Sequence, residues 1–318
     1  MQIKVYIKTF LKDIVKLYNK SKIKDSDFRP LSIKEFESKF INLPYKGEIF
    51  RLVYLDENNK PIGFLVADCD IEVEMKFGKK IAIIDLLIAE EKEFDKISLE
   101  LISELEKRVK EIGIEEIQVH FVDEKNEVES NFFREYFEEI RKWHYMECNV
   151  YNIDNSLLVL PEGFRWERIR FRGPKANTKK WLDCHNEAFE NHFGMRPLSY
   201  EELKSYTLEE SFDYDAYFGI YDEDKEDFVA ECSCEIDPLL NDYRKISRCI
   251  IWTVGVRKAY RGKGFGKKLV LKALDYMNKR NINIAAIHVD ETNMIAYNLY
   301  RKIGFETKRF RLFFRKSI

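Results

Sequence analysis

Residues 250–266 read IIWTVGVRKAYRGKGFG, and this stretch is the most informative part of the sequence about the fold. Its first seven residues are mostly apolar and β-branched, which predicts a buried strand that ends at Val256. A glycine-rich turn then leads into apolar residues at helical spacing, up to Met277. Such turns often hold phosphates, because the first N–H groups of a helix lack partners and carry partial positive charge. The stretch therefore predicts an α/β domain that binds a ligand with phosphate groups.

Two better-known phosphate-binding patterns do not fit this turn. A P-loop needs a glycine five residues before its Gly-Lys pair, and Arg257 stands at that position before Gly262-Lys263. The dinucleotide-binding pattern Gly-x-Gly-x-x-Gly fails at its third position, which is Lys267. The spacing that remains is Arg-x-x-Gly-x-Gly, which covers residues 261–266.

This spacing, preceded by an apolar strand that ends in Val-Gly-Val, resembles the pyrophosphate loop of the GNAT acetyltransferase superfamily. A second segment agrees with it. Asn293, Ala296 and Tyr300, followed by Gly304-Phe305, are similar to the second cofactor motif of the same superfamily. The resemblance implies a GNAT fold, acetyl-CoA (coenzyme A) as the cofactor, and transfer of an acetyl group to a primary amine by direct attack.

The resemblance also implies a role for each matching residue. The backbone of residues 254–256 would pair with the pantetheine arm, and the amides of residues 262–266 would hold the pyrophosphate beside basic side chains. Asn293 would hydrogen-bond the pantetheine, and Tyr300 would protonate the departing thiolate, as a positioned phenol can. An N–H group at the strand end would stabilise the carbonyl oxygen as negative charge grows. The expected cofactor-binding residues are Val254, Gly255, Val256, Arg261, Gly262, Lys263, Gly264, Phe265, Gly266, Lys267, Asn293, Ala296 and Tyr300.

Simpler roles exist for several of these residues. Arg261 and the neighbouring lysines could form a solvated helix start, and Tyr300 could merely pack against Phe305. Asn293 could be a helix cap. His288, on an apolar strand, is more often a core histidine than a catalytic base.

The general base is less clearly indicated. In several members of the superfamily a glutamate lies six residues before the valine that ends the motif strand, and here that position is Ile250. Glu231, which shares a strand face with Ser233 and Glu235, is the best substitute and would act through water. The expected catalytic residues are therefore Tyr300 and Glu231. An outward charge on a half-exposed strand is the alternative for Glu231.

The predicted order of elements occurs twice. Ile88 and Val256 end buried strands 168 residues apart, and His120 and His288 stand at the same separation. We therefore predict an α/β fold of two tandem GNAT-like domains, 1–151 and 164–318. Each would be a mixed (α+β), mostly antiparallel sheet flanked by helices. This layout is similar to that of the mycothiol synthases.

The N-terminal copy has lost the cofactor pattern. At a separation of 168 residues, the arginine and the two glycines of the loop correspond to Glu93, Lys96 and Ser98. Acidic side chains here would repel a pyrophosphate, and the lack of glycine would prevent close backbone approach. Tyr300 corresponds to Phe132, which has no hydroxyl. We expect this domain to support the catalytic one or to wall part of the acceptor site.

Composition limits the partners. Lys and Arg number 54 against 56 Asp and Glu, and this net charge of −2 lacks the basic excess of a nucleic-acid binder. The six cysteines have no Cys-x-x-Cys spacing, so we expect free thiols in a reducing compartment and no metal site. There is no signal-peptide core or membrane-spanning run, which favours a cytoplasmic protein without a membrane partner.

The expected acceptor is a small-molecule amine. The loop 189–197 contains His192, Phe193 and Arg196, whose aromatic and cationic groups would suit an amine that bears a carboxylate. Two alternatives stay open, a regulatory module that binds acyl-CoA without turnover and an enzyme that acetylates proteins. The sequence leaves acyl chain length and oligomeric state open.

Overall fold

The computed structural model describes residues 2–42, 47–70, 78–171, 176–207 and 212–318. The chain forms two compact units. The first comprises Met1–Trp143 with Arg309–Ile318, and the second comprises His144–Lys308. Both combine helices with a mixed, mostly antiparallel sheet, as predicted. The predicted limits of the sequence repeats, 1–151 and 164–318, stay a prediction.

The strands of the described residues are β1 (Gln2–Val5), β2 (Gly47–Leu55), β3 (Pro61–Asp70), β4 (Ile81–Ala89), β5 (Glu116–Asp123), β6 (Glu138–Asn149), β7 (Phe164–Arg168), β8 (Tyr217–Asp222), β9 (Asp227–Glu235), β10 (Arg248–Val256), β11 (Ile284–Asp290) and β12 (Glu306–Ser317). The α-helices are α1 (Leu11–Ser21), α2 (Ile33–Phe36), α3 (Phe94–Glu111), α4 (Glu127–Tyr136), α5 (Thr178–Ala188), α6 (Tyr200–Tyr206), α7 (Pro238–Arg244), α8 (Phe265–Asn278) and α9 (Met294–Ile303).

In the first unit the strands follow the order β1-β2-β3-β4-β5-β12. Neighbours are antiparallel except β4 and β5, which run parallel. Successive side chains of a strand point to opposite faces, so an apolar strand such as β2 can serve two cores. Leu52 and Tyr54 belong to the core that includes α3, whereas Val53 and Leu55 belong to the core that includes α1 and α2.

In the second unit the order is β6-β11-β10-β9-β8-β7, and β10 and β11 run parallel. Apolar residues of α8 share one core with Cys232 and Cys234 of β9. Glu231 and Ser233 alternate with these cysteines along β9 and therefore point to the opposite face of the sheet. Helix α5 packs on that face, where its His185 contacts Glu231.

The predicted internal repeat is present, with one correction to its register. β4 and β10 end at Ala89 and Val256, 167 residues apart, and α4 and α9 begin and end at the same separation. Tyr300 is the seventh residue of α9, so its counterpart in α4 is Phe133 and the predicted counterpart Phe132 is wrong. The separation changes along the chain because β5 is one residue longer than β11.

The loops before α3 and α8 differ in length. Four residues, 90–93, join β4 to α3, whereas eight residues, 257–264, join β10 to α8. The predicted mapping of the glycine loop onto Glu93, Lys96 and Ser98 is therefore wrong, since the last two lie inside α3. In this described stretch, the first unit has no counterpart of the glycine loop at all.

Candidate active site

The two parallel strands of the second unit separate along their length. β10 pairs with β11 only from Arg248 to Ile251 within the described residues. A β-bulge at Trp252 also shifts the register of β10 against β9 on its other side. A gap therefore opens beside the last residues of β10.

The backbone of β10 presents hydrogen-bonding groups to this gap. The N–H of Arg257 donates to the carbonyl of Val229 in β9 at 3.0 Å. Because backbone groups alternate in direction along an antiparallel strand, Gly255 also faces β9, whereas Val254 and Val256 face away from it. Val254 and Val256 therefore direct their N–H and C=O groups to the gap, as the predicted pairing with a pantetheine arm requires.

The glycine loop leaves open space above the start of α8. Gly262 and Gly264 both have a φ of 80°, and a Cβ atom added to either would meet no atom within 4 Å. Glycine is thus favoured by the backbone conformation, since most other residues avoid positive φ. Lys268 is the first residue of the helix whose N–H bonds back, to the carbonyl of Gly264 at 3.2 Å. The preceding N–H groups form an electropositive helix start that suits a phosphate.

The basic side chains of the loop have different tasks. Arg261 donates to the carbonyls of Val256 and Ala188, both at 3.1 Å, and so braces the end of β10. Lys263 lies 5.0 Å from the centre of the Tyr260 ring. Lys263 and Lys267 are both exposed, so their charges are available to a ligand.

Two residues of the second predicted motif have identifiable structural roles. Asn293 caps α9, where its Oδ1 accepts from the N–H of Ala296 at 3.1 Å, and its amide nitrogen remains a donor. Tyr300 is 6% exposed and packs with its ring 6.0 Å from that of Phe305. Burial, with a smaller contribution from Cys232, raises the pKa of Tyr300. The phenol therefore keeps its proton and can donate it or share it in a hydrogen bond.

Glu231 lies at the centre of a buried polar cluster. It is 0% exposed, so the alternative of an outward charge is wrong. Its Oε2 accepts from the hydroxyl of Thr253 at 2.8 Å, and its Oε1 lies 3.3 Å from Nδ1 of His185. A Cβ atom on Gly255 would lie 2.6 Å from the same Oε1, so the carboxylate packs directly against the backbone of β10.

Sequence reasoning missed three residues of this cluster, Ser233, Thr253 and His185, as functional candidates. The Ser233 and Thr253 hydroxyls are 2.7 Å apart, and both residues are buried. The position of Ser233 two residues after Glu231 was a usable signal for a shared face. The sequence offered no such signal for Thr253 on β10 or His185 on α5, because strand pairing and helix packing bring them to Glu231 from distant parts of the chain.

Two other candidate side chains, those of Arg196 and His288, make contacts outside this cluster. Arg196 forms an ion pair with Glu202, which in turn completes the capping box of α6 with Ser199. Its side chain therefore supports a helix start in this structure. His288 packs among aromatic rings, 5.1 Å from that of Tyr145 and 6.1 Å from that of Trp252.

The equivalent place in the first unit, beside the end of β4, is a cavity lined by polar and charged side chains of the unit itself. Glu129 takes the place of Ala296 as the third residue of its helix, and it binds the Lys22 ammonium at 2.6 and 2.7 Å. Although burial opposes its charge, the Glu129 and Asp25 carboxylates raise the pKa of Lys22. The Ser21 hydroxyl donates to the carbonyl of Ala89 at the end of β4 at 3.0 Å. An ion pair thus stands at the helix position where the second unit has Ala296, and a hydroxyl binds the end of β4.

The described ranges lack two further features. No cluster of three or more His, Cys, Asp or Glu residues with the geometry of a metal site occurs there. No helix among them combines the length and the apolar composition needed to cross a membrane.

The part of the chain that holds this site is similar to known proteins. Residues 179–305 match the family model described as Acetyltransferase (GNAT) family. Over 132 residues the chain is 29% identical to a Renibacterium salmoninarum protein named mycothiol acetyltransferase. The aligned stretch covers 42% of this chain and 38% of that protein. The chain spans about half the length, or less, of the curated relatives it matches.

Solved structures agree on the fold. A GCN5-related N-acetyltransferase from Sphaerobacter thermophilus superposes with a TM-score of 0.68 at 16% identity, over 99% of this chain and 95% of that chain. A tandem GNAT protein from the clavulanic acid biosynthesis pathway gives a TM-score of 0.69 at 13% identity, over 99% and 98%. The predicted fold of two tandem GNAT-like domains is therefore confirmed.

Proposed function

We propose, from the premise that residues 179–305 form a domain of the GNAT acetyltransferase family, that this chain transfers an acetyl group from acetyl-CoA to a primary amine of a small molecule. The observation that carries the proposal is the gap beside the end of β10. Backbone groups of Val254 and Val256 border it, and the open glycine loop begins the next helix. Tyr300 lies in the core cluster that also holds Ile251 and Ile287 of the two separating strands.

Acetyl-CoA, when bound, supplies an activated acetyl thioester. Val254 and Val256 would hold its pantetheine arm as an additional strand, and Asn293 would donate to it from its side-chain amide. The N–H groups of residues 262–267 would hold the pyrophosphate at the positive end of α8. Lys263 and Lys267 would add positive charge, while Arg261 braces the end of β10 through its bonds to the carbonyls of Val256 and Ala188.

Two side chains would accept and donate protons during the reaction. Glu231 would accept a proton from the ammonium group of the acceptor, so that the neutral amine can attack the thioester carbon. The C–N bond would form as the C–S bond breaks, and the Tyr300 phenol would donate to the departing thiolate. A strand-end N–H of β10 would stabilise the charge on the carbonyl oxygen.

Several observations bear on the acceptor. The curated relatives are named mycothiol acetyltransferase, which supports a small molecule over a protein. The pairing of Arg196 with Glu202 weakens the predicted contact of Arg196 with a carboxylate, whereas contacts of His192 and Phe193 with the acceptor stay a prediction. The buried phenol of Tyr300 argues against a module that only binds acyl-CoA. The six free thiols support a location in the reducing cytoplasm.

Calorimetric titration of acetyl-CoA tests the proposed site. Wild-type protein should bind one acetyl-CoA per chain, and a Gly264→Glu, Gly266→Glu double variant should not bind, because two carboxylates repel the pyrophosphate and fill the open space. Asn278→Glu, at the other end of the same helix, is a control and should bind like the wild type. Circular dichroism establishes that each variant is folded.

Every outcome of this titration is informative. Binding that survives in the folded double variant, or a second site per chain, would contradict the assignment to the glycine loop. No binding to the wild type would overturn the proposed function. Where binding occurs as expected, release of the CoA thiol in the presence of a panel of primary amines measures turnover.

A further inference from the structure

We propose that the hydroxyls of Ser233 and Thr253 form a relay that carries a proton from the acceptor amine to Glu231. This inference rests on the proposed acetyl transfer and names two further residues for it. It starts from the complete burial of Glu231, which is 0% exposed. A carboxylate without any exposed surface cannot touch a bound amine, so a proton needs intermediate groups to reach it.

The distances define a continuous chain of hydrogen bonds. The Ser233 hydroxyl lies 2.7 Å from that of Thr253, and the Thr253 hydroxyl lies 2.8 Å from Oε2 of Glu231. Both are normal lengths for O–H···O hydrogen bonds. Ser233 and Thr253 are 5% and 9% exposed, so both residues retain some exposed surface, whereas Glu231 has none.

The number of protons fixes the direction of the chain. A hydroxyl has one proton to donate, and Thr253 gives its proton to the Glu231 carboxylate, which can only accept. The bond between the two hydroxyls must then run from Ser233 to Thr253. The oxygen of Ser233 is left as an acceptor at the outer end of the chain, where the N–H of an ammonium group can donate to it.

The far side of Glu231 is held in place. Its Oε1 lies 3.3 Å from Nδ1 of His185, whose ring stacks on Trp181 at a centroid distance of 5.4 Å and an angle of 12°. The backbone of Gly255 packs against the same oxygen, where even an added Cβ atom would lie 2.6 Å away. The fixed position of Glu231 makes the hydroxyl chain its route to the acceptor.

The chain also ends in the right part of the sheet. Thr253 follows the bulge at Trp252 and immediately precedes Val254, where β10 has separated from β11. The relay therefore reaches the surface next to the strand segment that would hold the thioester. On the same strand, Trp252 is 52% exposed, so this part of the sheet face is open to a small molecule.

Each hydroxyl of the relay receives one proton and passes one on. The ammonium gives one proton to the oxygen of Ser233, whose own proton passes to Thr253, and the proton of Thr253 passes to Oε2 of Glu231. The ammonium becomes a neutral amine, the carboxylate becomes a carboxylic acid, and both hydroxyls are regenerated. The amine then attacks the thioester carbon, and its nitrogen loses a second proton as the amide forms. This second proton balances the one that Tyr300 gives to the thiolate, and the phenol is restored by way of solvent. Glu231 loses its proton by the reverse route when the product leaves.

Paired substitutions test the relay. Thr253→Val keeps the shape of the side chain and breaks the chain of hydroxyls, whereas Thr253→Ser keeps the hydroxyl. We expect Thr253→Val to lower kcat by about 10²-fold, within the range of a lost general base, and Thr253→Ser to stay within about fivefold of wild type. Ser233→Ala should lower kcat in the same direction as Thr253→Val. The KM for the amine should change much less than kcat in all three variants.

Thr178→Val is the matched control, because its buried hydroxyl bonds to the carbonyl of Arg170 at 2.9 Å, outside the relay. Thermal unfolding and the Kd for acetyl-CoA are measured for each variant, with glucosamine, ethanolamine and L-lysine as amine acceptors. A Thr253→Val enzyme with wild-type kcat would overturn the relay. Equal losses in Thr253→Val and Thr253→Ser would also overturn it, since they would indicate a packing role. If wild-type protein binds acetyl-CoA but acetylates none of these amines, the proposed function fails first and the relay with it.

Discussion

Tyr300 and Phe133 differ by one hydroxyl oxygen, and their comparison shows which part of the tyrosine the core needs. Both are the seventh residue of equivalent helices, and their exposed fractions are 6% and 0%. A phenylalanine ring therefore satisfies the core at this position, as the first unit demonstrates. The hydroxyl of Tyr300 is not needed for packing, and its raised pKa keeps it protonated where a donor would be useful.

Tyr300→Phe should therefore remove activity without removing the fold. We expect kcat to fall by about 10²-fold, because the departing thiolate loses its proton donor. The Kd for acetyl-CoA and the thermal midpoint should stay close to wild type. The measurement is the rate of CoA thiol release under saturating acetyl-CoA.

Tyr276→Phe provides the control for that substitution. It removes a hydroxyl that bonds to Asp213 at 3.0 Å in the same unit and should keep wild-type kcat. A Tyr300→Phe enzyme with undiminished kcat would show that the phenol only packs against Phe305, as the simpler interpretation holds.

At the scale of the element, β10 joins the two halves of the candidate site. One side of its backbone pairs with β9 and the other faces the gap, while Gly255 leaves room for the Glu231 carboxylate. The glycine at this position has an ordinary strand conformation, so its requirement is steric. This differs from Gly262 and Gly264, whose positive φ angles favour glycine even in open space.

Gly255→Ala should disturb the catalytic cluster directly. Its Cβ would lie 2.6 Å from Oε1 of Glu231 and 2.9 Å from Cβ of Ala188, so the strand or the carboxylate must shift. We expect a loss of about 1–3 kcal/mol in the free energy of unfolding, which is typical of overpacking, together with reduced kcat. Urea titration measures the first quantity and thiol release the second.

Gly266→Ala is the matched stability control for that variant. Its Cβ would lie 3.6 Å from Leu299, an ordinary contact, and it lies inside α8, where alanine is favoured over glycine by roughly 0.5–1 kcal/mol. This variant should be as stable as wild type or more so. Equal stability of the two variants would contradict the steric role of Gly255.

At the scale of the whole molecule, one fold occurs twice with different contents. The second unit keeps an open loop of eight residues after β10, whereas the first unit has four residues after β4 and places the ion pair of Lys22 and Glu129 beside that strand end. Their side chains are 13% and 9% exposed. Removing only one partner of a buried ion pair leaves an uncompensated charge, so the loss of either side chain should destabilise this unit.

Glu129→Ala should therefore destabilise the first unit without giving it a cofactor site. We expect the free energy of unfolding to fall by about 3 kcal/mol, because the Lys22 ammonium stays buried without its closest partner. A Lys22→Met, Glu129→Leu double variant removes both charges and should recover most of the loss. Urea titration measures stability, and calorimetry should still give one acetyl-CoA per chain. A second binding event in Glu129→Ala would show that only this side chain blocks the first unit.

The fold class, the repeat and the glycine loop could be predicted from the amino-acid sequence. These features depend on local properties, namely apolar periodicity, the φ angles that glycine permits and the spacing of a short motif, so they can be predicted along the chain. The relation of Tyr300 to Phe133 needed the structure, because one additional residue in β5 shifts the register. The tertiary structure alone decided the cluster of His185, Glu231 and Thr253 and the ion pair of Lys22 with Glu129. These residues come together only when elements that are distant in the chain pack on one another. Lys22 and Glu129 are 107 residues apart, so no local sequence pattern indicates their contact.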